Sequence, residues 1–139
     1  MTQHDGFPCQ PIGAAGLHQQ WYDANASAGR LTAQRCECGR WRMPARYRCA
    51  SCHGEAWSFE PVGDHGRVVG WTVTHRPFHF GFAQVVPYAM VIAEVPEGIR
   101  VLLHVRPSLT DVGGDIDWHG REIAIVVDEF GLPYASLVG

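Results

Sequence analysis

Four of the five cysteines crowd into one short stretch, as Cys36-Glu37-Cys38 and, after ten intervening residues, Cys49-Ala50-Ser51-Cys52. Two close pairs joined by a short excursion are what a tetrahedral thiolate zinc site requires. Each pair chelates through a tight turn, and the excursion folds back to bring the pairs together. The second pair has the two-residue gap of an ordinary zinc knuckle, while the first is one residue shorter. That short gap can still chelate, but through a different turn, and His53 or Cys9 stands as a replacement ligand. Gly39 and Gly54 follow the two pairs and allow backbone amides to turn towards sulfur. Four protein ligands leave no position open to water, so the expected role is structural, without Lewis-acid chemistry. The alternative is four reduced thiols in a ribbon that holds no metal.

Other reactive side chains are present without a catalytic pattern. Of the eight histidines, His75 and His79 flank a strand end in His75-Arg-Pro-Phe-His-Phe-Gly-Phe82, and His104 sits within a strand, where a satisfied structural role is expected. Phe78, Phe80 and Phe82 crowd one expected loop. Exposed aromatics are unfavourable unless covered, so these rings plug an end of the fold, line a ligand pocket or dock on a partner. Asp115/Asp117 and Asp128/Glu129 fall near turns, where solvated acids are routine. The sequence has no nucleophile elbow, Gly-rich phosphate loop or HExxH motif.

The charges are segregated. The chain carries a net charge of −3 and has no lysine. Six of its eleven arginines lie between Arg30 and Arg48, a stretch with Glu37 as its only acid. One reading is a solvated surface; the other is a cationic patch for phosphate or an acidic partner, to which the planar guanidinium is suited. From Trp57 to Gly139 five arginines face ten acids, which argues against binding a nucleic-acid backbone.

These residues need elements to position them. Leu17, Trp21, Ala24 and Ala28 form an apolar stripe, which predicts a helix over about 14–28 that Gly29 stops. Residues 31–56 lack regular periodicity. Beyond them the texture is β. Strands are expected at Arg67–His75, Tyr88–Val95, Ile99–Val105, Glu122–Asp128 and Tyr134–Val138, with a hairpin turn at Pro96-Glu97-Gly98. About five short strands rich in glycine describe a small closed barrel, and Gly70 inside the first permits the sharp coil such a barrel needs. The chain of 139 residues holds no apolar run long enough to span a bilayer and no secretory pattern near its start. A cytoplasmic setting is expected, where disulfides are a poor account of cysteines.

In order and spacing, the helix, Gln34-Arg-Cys-Glu-Cys-Gly-Arg40, Pro44-Ala-Arg46, Cys49-Ala-Ser-Cys52, Trp57, Gly66-Arg-Val-Val69, Thr74-His-Arg-Pro77, Pro87-Tyr88 and Glu97-Gly98 resemble the zinc-ribbon-containing OB-fold proteins, known as domain of unknown function 35. The resemblance runs from about residue 14 to residue 138. It implies a mainly β chain: an N-terminal arm and helix over 1–30, a rubredoxin-like zinc ribbon over 31–58 and a five-stranded OB-fold barrel over 59–139. Cys36, Cys38, Cys49 and Cys52 would hold structural zinc. It further implies a non-catalytic partner subunit of a thiolase-like, aldolase or hydratase enzyme acting on acyl-CoA thioesters, in a hetero-oligomer. Arg42, Arg46, Arg48, Phe78, Phe80 and Phe82 are the candidate contacts to the partner or to CoA. The competing readings are a free-standing acyl-CoA binder and a single-stranded nucleic-acid module.

Overall fold

The computed structural model describes residues 16–77, 86–106 and 116–137. Helix α1 (Gly16–Ala28) is followed by β1 (Thr32–Cys36), β2 (Trp41–Arg42) and β3 (Trp57–Pro61). These three strands form an antiparallel sheet with β1 in the middle. β4 (His65–Thr74), β5 (Tyr88–Glu94), β6 (Arg100–Arg106), β7 (Glu122–Val127) and β8 (Pro133–Leu137) close a barrel in the order β4-β5-β6-β8-β7. Each of the five expected strands is present, with no end shifted by more than two residues. β3 pairs with β1 along its whole length, so residues 59–61 are hydrogen-bonded into the ribbon sheet, and the barrel begins at His65.

Alternation builds the barrel. Val68, Val91, Ala93, Val101, Leu103, Val105, Ile123, Ile125 and Ala135 point inwards and are buried. Ala89, Ala93 and Ala135 keep the interior narrow enough for five strands to close on one another. A register shift between Val68 and Gly70 marks a bulge in β4, which coils the strand where the sequence places its glycine. Leu31, Ala33 and Val62 belong to the same buried cluster, so the ribbon sheet and the barrel share one core.

The helix is held differently from the expectation of an apolar stripe. Leu17, Trp21 and Ala24 are only half-buried and Ala28 is exposed, whereas the fully buried helical residue is Asn25. Its Oδ1 accepts hydrogen bonds from the Thr32 amide and hydroxyl, both at 2.8 Å. Its Nδ2 donates to the Gly131 carbonyl at 3.0 Å. One carboxamide therefore ties α1 to the start of the ribbon and to the β7–β8 turn. Trp21 Nε1 adds a bond to the Thr32 carbonyl at 2.7 Å. Gly131 has φ of +90°, and a Cβ there would lie 1.8 Å from the Tyr22 carbonyl oxygen. The helix backbone rests directly on this turn.

The same turn corrects the reading of Asp128 as a solvated acid. Its side chain is 3 % exposed. Oδ1 accepts the amides of Phe130 and Leu132, and Oδ2 faces the Arg106 guanidinium at 3.6 Å. Arg106 in turn stacks over Tyr134, 4.2 Å from the ring centre.

Asn25→Ala is expected to lower unfolding free energy by about 2–4 kcal/mol, because it leaves buried backbone groups of Thr32 and Gly131 without partners. Gly131→Ala should destabilise to a similar degree, by left-handed backbone strain and collision with Tyr22. Urea denaturation of the two variants measures both effects; a loss below about 0.5 kcal/mol for either would contradict this account of helix docking.

Candidate metal centre

Cys36 is the last residue of β1, and Cys38 follows in a turn closed by Gly39 N donating to Cys36 O at 2.8 Å. Gly39 adopts φ of +96°, the left-handed region in which glycine is favoured. Cys49 and Cys52 form the second knuckle, closed by His53 N to Cys49 O at 2.9 Å and Cys49 N to Gly54 O at 3.1 Å. The two turns face each other because β2 and the long return after it fold back along β1.

Cys36 Sγ lies 3.4 Å from Cys52 Sγ, and Cys38 Sγ lies 3.7 Å from Cys49 Sγ. All four sulfurs fall within 4.8 Å of one another. A tetrahedral zinc–thiolate centre, with bonds near 2.3 Å, has sulfur–sulfur edges of about 3.8 Å. The donor set fits zinc, and the short Cys36–Cys38 pair reaches it without distortion of β1. Cys36 and Cys49 are buried, while Cys38 and Cys52 are exposed, so the centre sits at the ribbon tip with one side towards solvent. His53 is not part of the cluster, and Cys9 lies outside the described residues.

Amide donors are unevenly shared between the pairs. Ser51 N and Cys52 N point at Cys49 Sγ at 3.4 and 3.5 Å, and Gly54 N points at Cys52 Sγ at 3.3 Å. Gly39, expected to serve a sulfur, serves the Cys36 carbonyl instead, because the one-residue gap shortens the turn. The amides of Cys52 and then Ser51 pull the Cys49 thiol down from 9.0 to about 6, which favours the thiolate form that a metal ligand must take.

The excursion between the pairs is pinned to β1 by Gln34, which is fully buried. Its Nε2 donates to Arg46 O, and its Oε1 accepts from Arg46 N, both at 2.7 Å. This two-point clamp sets the Met43–Arg46 segment beside the barrel. Arg42 and Arg46 consequently line one cavity, together with Arg40 and Arg100. Arg48 does not join them; it is exposed and faces Glu55 at 3.6 Å. Phe78, Phe80 and Phe82 lie outside the described residues. His104 is neutral at pH 7, its pKa lowered first by burial and then by the charge of Arg106. It packs beside Tyr88 with ring centres 5.1 Å apart, as a structural histidine does.

Residues 25–58 match the family described as the ChsH2 rubredoxin-like zinc ribbon domain, and residues 59–114 match the ChsH2 C-terminal OB-fold domain. The chain belongs to this family of zinc-ribbon OB-fold proteins. It is similar to a DUF35 domain-containing scaffold protein of Methanothermobacter thermautotrophicus, with 26% identity over 98 residues, covering 67% of this chain and 73% of that protein. Among solved structures it resembles a chain of an Ltp2-ChsH2(DUF35) aldolase, with TM-score 0.71 and 25% identity, covering 89% of this chain and 94% of the other. A DUF35-family protein of unknown function from Sulfolobus solfataricus shares the fold, with TM-score 0.58 and 14% identity over 92% of this chain and 90% of that one.

Asn25 and Arg100 were not marked by sequence pattern, and Gln34, Arg40 and Asp128 were noted without the roles that the structure gives them. The available signal for Asn25 was its place one turn beyond Trp21, on the docked side of the helix.

Purified protein is expected to carry about one zinc per chain. Cys49→Ser should abolish retention and unfold the ribbon, as seen by metal analysis and circular dichroism. The folded-state pKa of Cys49 is depressed, so the stability it contributes to the metal-free chain is complete above its unfolded value near 9 and is lost as pH falls through about 6. Zinc retention, read with a chelating dye, should hold at neutral pH and be lost only below that boundary, because a bound ion competes with protons for the thiolates.

Proposed function

We propose that this chain is a non-catalytic accessory subunit of a thiolase-like complex, with a thiolase, aldolase or hydratase partner that acts on acyl-CoA thioesters. The observation that carries this reading is the likeness, over nearly the whole chain, to a protein named with its aldolase as Ltp2-ChsH2(DUF35). The scaffold designation of the archaeal relative points the same way. A four-sulfur centre is coordinatively closed, so its contribution is to hold the ribbon rigid while the barrel presents surface.

That surface is apolar in places where a lone barrel would be polar. Ile92 and Leu102 are directly opposed on neighbouring strands and are 39% and 59% exposed. Trp71 and Tyr47 are also exposed. Aromatic and aliphatic side chains of this kind form the cores of protein interfaces. No helix among the described residues is long and apolar enough to cross a membrane. A metal held by thiolates suits the reducing conditions of a cytoplasmic complex.

Co-expression with a thiolase-fold partner is expected to give one hetero-oligomeric peak on size exclusion. Leu102→Asp in the exposed patch should shift that peak towards separate components. Separate elution of the wild-type pair under all conditions would reject the reading, and tight CoA-ester binding without any partner would favour a free-standing binder.

A further inference from the structure

The four sulfurs of the metal centre are not equivalent. Cys36 and Cys49 are buried, and Cys38 and Cys52 are exposed. Of the exposed two, Cys52 Sγ accepts the Gly54 amide at 3.3 Å. The buried Cys49 Sγ accepts the amides of Ser51 and Cys52. Cys38 Sγ accepts no amide among the described residues, where its one close contact of this kind is Cys49 Sγ at 3.7 Å.

The cause lies in the spacing of the chain. A two-residue gap lets the second knuckle aim the Ser51 and Cys52 amides at its first sulfur. With Glu37 alone between Cys36 and Cys38, the first turn directs its closing amide, Gly39 N, to the Cys36 carbonyl. The chain then returns at once towards β2, and the Arg40 carbonyl accepts the Cys36 amide at 2.8 Å. No backbone donor turns back to Cys38.

Amide donors draw electron density from a thiolate and lower its nucleophilicity. A thiolate ligand without them stays more reactive. Cys38 combines that state with open access to solvent, and no other sulfur of the centre does. Cys36 Sγ also accepts no amide among the described residues but is 3 % exposed, and Cys52 is exposed but carries the Gly54 amide. The closest sulfurs, moreover, lie across the knuckles: Cys38 faces Cys49, and Cys36 faces Cys52 at 3.4 Å. In each pair one sulfur is exposed and one is buried, and closing to a disulfide bond of about 2.05 Å is a short movement.

We propose that Cys38 is the oxidation-sensitive ligand of this centre, through which hydrogen peroxide exchanges the bound ion for disulfides that cross between the knuckles. The Cys38 thiolate attacks one peroxide oxygen. An S–O bond forms, the O–O bond breaks and hydroxide leaves; the sulfur loses two electrons and the peroxide gains them. The Cys49 thiolate then attacks the Cys38 sulfur, forming the S–S bond and expelling a second hydroxide. Cys36 and Cys52 react in the same way with a second peroxide. An ion deprived of two thiolates is no longer held, so its release accompanies the first disulfide. The disulfides join the same two turns that the ion joined, and the tip stays closed. The root of the ribbon and the helix dock rest on Leu31, Ala33, Val62 and Asn25, which the sulfurs do not touch. This reading goes beyond the accessory role and needs no partner chain.

The test takes the full-length, zinc-loaded chain in a Cys9→Ser background, free of added thiol, and titrates it with hydrogen peroxide. Dimedone traps the sulfenic acid, peptide mass spectrometry maps adducts and disulfides, and a chelating dye reads zinc. The first adduct should fall on Cys38, and the first disulfide should join Cys38 to Cys49, with zinc released in step with it. Cys38→His keeps a zinc ligand at the position and should slow peroxide-driven release by about tenfold or more, whereas Cys52→His should leave it within about twofold of the parent. Tryptic cleavage after Arg48 should be slow in the zinc-loaded and oxidised chains and fast in the reduced chain stripped by chelator. First adducts on Cys52, or spread evenly over the two exposed sulfurs, would overturn the proposal. So would a first disulfide within a knuckle, zinc retained after the thiols are oxidised, equal slowing by the two histidine variants, or an oxidised tip cleaved as fast as the stripped one. The adduct and disulfide maps are read on the chain with all four ligands, so the proposal stands or falls even if a histidine variant fails to hold zinc.

Discussion

The fold depends on one buried carboxamide. Asn25 joins helix, ribbon and barrel through three hydrogen bonds inside a region from which water is excluded. A hydrogen bond of this kind adds only about 1 kcal/mol when made, but its loss strands partners that cannot turn to solvent. The constraint is geometric as well. The Tyr22 carbonyl occupies the space that any side chain at Gly131 would need. Helix position, the start of β1 and the β7–β8 turn are therefore set together. The Arg106–Asp128 pair, at the base of the same turn, carries that order into the barrel.

The metal centre works at the other end of the ribbon. A sheet with β2 only two residues long has little core of its own. It is fastened at its root by Leu31, Ala33 and Val62 in the shared core, and at its tip by four sulfurs. Between these anchors Gln34 fixes the returning chain. The arginines beside that clamp are held at a defined distance from the barrel, which a flexible loop would not achieve. In this arrangement a bound ion would hold the tip rigid, while the arginines are positioned by the Gln34 clamp some way from it.

Much of this was legible in the residues. The cysteine spacing marked the centre, and Val- and Ile-rich alternation marked all five barrel strands, because both signals come from local chemistry with a fixed period. Gly70 marked the bulge for the same reason. The helix was legible, but its mode of attachment was not: Leu17 and Ala28 looked like its buried face, while Asn25 lay outside the apolar stripe. A buried amide is recognised by its partners, and Thr32 and Gly131 lie 7 and 106 residues away from it. Asp128 was misread on the same ground, since its partner Arg106 comes from another strand. The arginine cluster was visible as a run of charge. Its division into Arg42 and Arg46 inside a cleft and Arg48 outside depended on a clamp that no local pattern announces.

The parallel pairing of β8 with β6 has a consequence for how the molecule comes to be made. β8 inserts between β6 and β7, and the turn that leads into it is the seat of the first helix. Neither the cylinder nor the helix dock is complete until residues 133–137 have left the ribosome. The ribbon spans only residues 32–61 and has all four thiolates by residue 52, so it can capture its ion while the remainder is still being translated. Capture of an ion can therefore precede closure of the cylinder, which has to wait for β8.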